Sequence, residues 1–133
     1  MTGRNVVGIA AALAAAGAWA LAASAQAPLS YANDVEPILV KECANCHGGN
    51  SPKKGLDLSL GKGYAELVGR KSQESPALDL VNPGDPAASY LWLKVSHTAL
   101  KGRGMPRTMF GSKKLPQAEL DTIREWIAQG AKP

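Results

Sequence analysis

The chain has 133 residues, a length that suits one domain, with 15 Lys and Arg against 11 Asp and Glu for a net charge of +4. Arg4 is the only charged side chain in residues 1–27, so residues 28–133 keep 14 basic and 11 acidic groups, a charge of +3. So small an excess excludes wholesale nucleic-acid binding and favours docking on acidic protein surfaces.

Residues 1–27 read as a secretory signal peptide: a short basic start, an apolar run over residues 6–23, and an Ala25-Gln26-Ala27 cleavage site before Pro28. Left uncut, the same run would serve as a membrane anchor. Residues 28–133 are the expected domain, in the periplasm. Asn33-Asp34-Val35-Glu36 then reads as a helix start, with Asn33 as cap, Glu36 as its reciprocal partner and Pro37 in the first turn. Val35, Ile38 and Leu39 make an apolar face that runs into Cys43, and Gly48-Gly49 stops the helix.

That helix ends in Cys43-Ala44-Asn45-Cys46-His47, a Cys-x-x-Cys-His run. This is the attachment pattern of a c-type haem: two thiols add to the porphyrin vinyl groups and the following imidazole ligates the iron. A disulfide across two intervening residues would stabilise little and leave His47 without a reason. A thioredoxin-type pair needs a βαβ context, which is missing. A zinc site from Cys43, Cys46, His47 and His97 would have to close one tetrahedron with two adjacent residues.

Downstream, Leu56, Leu58 and Leu60 alternate as in a short strand and are expected to wall the haem. A carbonyl of the loop around Pro52 is the natural acceptor for the second ring nitrogen of His47. Residues 64–68 predict a short helix closed by Gly69. Asp85-Pro86 predicts a second, carrying Leu91, Trp92 and Val95 and ending near residues 97–100. His97, the only other histidine, reads as a helix-end residue.

The stretch from Lys101 to Gly111 holds Gly102, Gly104 and Pro106 and is expected to be irregular. It carries Met105 and Met109, the only methionines after the initiator. A thioether suits the sixth position of haem iron, and Gly102 and Gly104 would allow the backbone close to the porphyrin. Met105 is preferred because Pro106 stiffens the chain beside it; Met109 is the fallback. Residues 86–118 hold six basic side chains (Lys94, Lys101, Arg103, Arg107, Lys113, Lys114) and no acid. Residues 116–129 form the clearest helix, with Leu120, Ile123, Trp126 and Ile127 on one stripe, expected to pack on the Val35–Leu39 face.

In this order the features resemble class I monohaem cytochrome c, and more narrowly the planctomycete-type bacterial cytochrome c domains. The residues that carry the likeness are Asn33 to Leu39, Cys43 to Gly48, Pro83-Gly84-Asp85-Pro86, Met105-Pro106 and Leu120 to Ala131. Family loops often read Met-Pro-Pro, whereas Arg107 stands here. The resemblance implies an all-α fold of three to four helices around one covalent haem c. It further implies thioether links at Cys43 and Cys46, with His47 proximal and Met105 distal. The function so implied is single-electron transfer rather than catalysis, with redox proteins bearing acidic patches as partners. No nucleic acid is expected, and a membrane only if the leading segment is retained. A haem sensor or catalytic redox subunit with an open sixth position is the alternative.

Overall fold

The computed structural model describes residues 26–133, so the expected signal segment lies outside the described residues apart from Gln26 and Ala27. The first helix begins one turn before the expected cap. Ser30, not Asn33, is the N-cap: its hydroxyl accepts the Asn33 N–H at 3.2 Å, and its own N–H donates to the Asp34 carboxylate at 2.8 Å. A reciprocal box normally spans three residues; here it spans four because the turn Tyr31–Val35 is π-helical. This widened turn precedes Pro37, which has no N–H to return to it. The chain continues as α1, Glu36–Glu42. Glu36, freed from the capping role, is nearly buried and accepts the Gly61 N–H at 2.7 Å.

Short helices follow at α2, Gly63–Leu67, and α3, Tyr90–Val95. The expected helix from Asp85 is broken in two. The Asp85 carboxylate does cap a turn, accepting the Ala88 N–H at 3.1 Å, but Ser89 is extended and α3 starts only after it. The cause is tertiary. Tyr90 and Leu91 give their N–H groups to the carbonyls of Asp79 and Leu80 at 2.9 Å each, so residues 78–81 take the donors that would otherwise need a preceding helical turn. Ser89, fully buried, closes the junction by donating its hydroxyl to the Asp85 carbonyl at 2.8 Å.

The fold is mostly helical rather than all-α. Residues expected to be irregular form a small antiparallel hairpin, β1 Arg107–Thr108 with β2 Gly111–Ser112, in register Arg107 to Ser112 and Thr108 to Gly111. Met109 and Phe110 make its tip and are 90% and 97% exposed. The last helix, α4, spans Gln117–Ala128. Leu120, Ile123, Trp126 and Ile127 are its buried stripe, as the 3.6-residue period requires.

The stripe of α4 meets the Tyr31–Val35 turn, at the start of the face expected to receive it, and also α3. The Trp126 and Tyr31 rings lie 5.6 Å apart, and Tyr64 completes the cluster edge-on to Tyr31 at 5.5 Å. Trp126 is fully buried, and its indole N–H donates to the Lys132 carbonyl at 2.7 Å. That carbonyl also accepts the Tyr31 N–H at 2.9 Å. One C-terminal carbonyl thus joins the two ends of the domain. The core fixes α1 with its Cys-x-x-Cys-His end on one side and leaves α3 to carry the methionine loop.

Candidate haem site

Beyond α1 the backbone does not stop at once. Cys43 and Ala44 both donate to the Leu39 carbonyl, and the Cys46 and His47 N–H groups return to the Cys43 carbonyl at 3.0 and 2.9 Å. This closed turn holds both sulfurs and the imidazole to one short piece of chain. Both cysteines are free thiols. Burial, and then the negative charge of the neighbouring Glu42, push the Cys43 thiol up to about 12, so it stays protonated at neutral pH.

His47 is oriented by the following loop. Its Nδ1 lies 3.0 Å from the Lys53 carbonyl, one residue beyond Pro52. A carbonyl only accepts, so Nδ1 carries the proton and Nε2 keeps its lone pair for a metal. Burial lowers the His47 pKa, which also favours the neutral imidazole a metal ligand needs. The His47 carbonyl in turn accepts the Leu58 N–H at 2.6 Å, drawing that leucine beside it.

These three residues line a cavity of about 600 Å³. Leu56, Leu58, Leu67, Leu80, Leu91 and Val95 give it apolar walls. The expected alternation fails at its third member: Leu58 is 2% exposed, whereas Leu60 is 75% exposed and absent from the cavity. The 56–60 stretch forms no strand. The Leu56, Leu58 and Ser59 N–H groups go to the Lys53 carbonyl, the His47 carbonyl and the Asp57 carboxylate, so no pleat carries the period forward.

Met105 lines the same cavity. Its N–H donates to the Lys94 carbonyl at 2.9 Å, one of the acceptors orphaned where α3 ends. Its own carbonyl faces His97 Nε2 at 3.1 Å. Met109 also touches the cavity, but from the exposed hairpin tip. The structure therefore lines one cavity with Cys43, Cys46, His47 and Met105; of the two methionines, Met105 is partly buried and held at both backbone polar groups, whereas Met109 is exposed. No group of three or more His, Cys, Asp or Glu side chains able to hold a metal occurs among the described residues, so Cys43, Cys46, His47 and His97 form no zinc site.

Two expectations about the methionine loop change. Gly102 and Gly104 make close approaches to other side chains within the protein. A Cβ on Gly102 would strike the Glu74 carboxylate and the Lys94 ammonium, and one on Gly104 would strike the His97 ring. Lys94 is no surface charge. It is 7% exposed, with Nζ 2.7 Å from Glu74 Oε2 and 3.2 Å from the Lys101 carbonyl, and Tyr90 Oη donates to the same Glu74 oxygen at 2.7 Å. Lys94 and Tyr90, in that order, hold the Glu74 carboxyl below its usual range. Lys113 is paired as well, 2.8 Å from Glu42. Burial of Lys94 was readable in principle, since Leu91, Lys94 and Val95 share one helical face.

A closed turn with two free thiols, an imidazole whose Nε2 is left for a metal, a thioether, and an apolar cavity between them form a donor set that fits a covalently bound haem. Residues 43–107 match the family model described as Planctomycete cytochrome C, and this segment is a planctomycete-type cytochrome c domain. The match runs from the first cysteine through Met105 to the first residue of the hairpin, and holds every residue that lines the cavity except Thr108 and Met109. No curated protein and no solved structure matches the chain.

Proposed function

We propose that the protein is a single-electron carrier holding one haem c, with Cys43 and Cys46 as thioether anchors, His47 as proximal ligand and Met105 as distal ligand. The haem, when bound, supplies a one-electron couple at its iron. The observation that carries the reading is the double hydrogen bonding of Met105 in the cavity that His47 also lines. A ligand fixed on both sides by the fold moves little between redox states, and a thioether opposite an imidazole raises the potential. The role of the protein is then to present fixed ligands, keep water away with the leucine walls, and carry charge for docking.

That docking charge rests on Lys101, Arg103, Arg107 and Lys114, because Lys94 and Lys113 have acidic partners within the fold. We assign the four to steering towards acidic surfaces of redox partners, with export directed by residues 1–27 and the domain working in the periplasm. Optical spectra of the purified protein in both redox states test the ligation. The expected result is a haem retained on denaturation, a Met-to-iron charge-transfer band in the ferric form, and slow, weak carbon monoxide binding in the ferrous form. Rapid, tight carbon monoxide binding at neutral pH would refute Met105 as a ligand and favour an open sixth position.

A further inference from the structure

His97 stands at the residue after the α3 cap, with φ of +64°, the left-handed conformation in which helices commonly terminate. That reversal carries its side chain to the loop bearing Met105. Because the Met105 carbonyl only accepts, the 3.1 Å contact fixes His97 Nε2 as the protonated nitrogen. Gly104 lies so close against the imidazole that any side chain there would collide with Cγ, Cδ2 and Nε2. The Ser112 hydroxyl, on β2, donates to the Gly104 carbonyl at 2.7 Å and closes the loop from the other side. His97 is not among the residues lining the cavity.

We infer that His97 is a positioning residue for the distal ligand. Its imidazole holds the Met105 carbonyl while the Lys94 carbonyl holds the Met105 N–H, so the peptide on each side of Met105 is fixed and its thioether stays in the cavity. The ring does this from outside the haem pocket, as a wedge between the end of α3 and the methionine loop. Glycine at 104 is then required by the ring, since only a residue without Cβ leaves room for the imidazole to reach the carbonyl.

This inference rests on Met105 being the distal ligand, and the test separates the two. Carbon monoxide affinity of the ferrous holoprotein is measured together with the ferric charge-transfer band in Met105→Ala, His97→Ala, His97→Gln and Gly104→Ala. Carbon monoxide must displace the Met, so losing one hydrogen bond that favours the bound ligand raises its apparent affinity about fivefold in His97→Ala. His97→Gln keeps an N–H donor at the end of a similar reach and is expected within about twofold of the parent. Gly104→Ala forces the ring off the loop and shifts affinity in the same direction as His97→Ala, which keeps the test open if His97→Ala does not fold. Parent behaviour in both His97→Ala and Gly104→Ala, or an equal rise in His97→Ala and His97→Gln, overturns the positioning role. An unchanged affinity and band in Met105→Ala would instead overturn the ligand assignment, and the positioning role with it.

Discussion

Glu74→Gln offers a quantitative test of how the methionine loop is braced. The substitution keeps the shape of the side chain and an acceptor oxygen, and removes only the charge that faces Lys94 Nζ at 2.7 Å. An exposed ion pair contributes about 0–1 kcal/mol, and a broken buried one costs about 3–5 kcal/mol. The Lys94 side chain is 9% exposed and that of Glu74 is 35% exposed, so the pair falls between these limits, at roughly 2 kcal/mol for loss of Glu74. The converse change is milder. Lys94→Met leaves a carboxylate that water still reaches and that keeps its Tyr90 hydrogen bond, and is expected to cost about 1 kcal/mol or less. Urea unfolding of the oxidised holoprotein measures both, and the double substitution should return close to the Lys94→Met value, because no ammonium is then left without its counter-charge. The sign with pH follows from the direction of the shift. The folded Glu74 pKa is depressed below its ordinary 4.5, so the contribution is fully present above that value and is lost as pH falls through the lower folded pKa. Glu74→Gln should therefore flatten the acid limb of the stability curve. Equal costs for the two single substitutions, or strict additivity in the double, would refute the view that a buried lysine needs this carboxylate.

Leu58→Ala is expected to cost about 2–4 kcal/mol, whereas Leu60→Ala should stay within about 0.5 kcal/mol, because only the former is buried against the cavity; equal effects in calorimetry would contradict the placement. Charge reversal at Arg107 or Lys101 should slow electron exchange with an acidic redox partner and weaken its dependence on ionic strength. Lys113→Glu should lower stability as well, since it meets Glu42 and leaves that depressed carboxylate beside a like charge. Stopped-flow rates against salt distinguish the two kinds of lysine. Cys43→Ser or Cys46→Ser is expected to give poorly folded protein in low yield, because the haem supplies much of the apolar surface around a 600 Å³ cavity; a well-folded wild-type protein without haem would argue against this.

Some signals are legible in adjacent residues. Cys43, Cys46 and His47 are read directly, as is the α4 stripe from Leu120 to Ile127, and Met105 stands out in a chain poor in methionine. Other features depended on how the turns and loops fold. Ser30 displaced Asn33 as the cap because the widened turn before Pro37 shifts the start of the helix. Helix α3 lost its first turn because residues 79 and 80 offered carbonyls to Tyr90 and Leu91. Lys94 left the surface for Glu74, and Gly102 and Gly104 made room for that pair and for the His97 ring. His97 shows the difference most sharply. Its place after α3 is a matter of sequence, but its bond to the Met105 carbonyl exists only because a left-handed turn folds the methionine loop back over the end of the helix. Periodicity and motif single out the cysteines, His47 and Met105 that line the cavity, since these signals are read within a short piece of chain. What holds those residues in place is decided by contacts between residues 6 to 20 apart in the chain, where burial and unsatisfied backbone groups choose the partner.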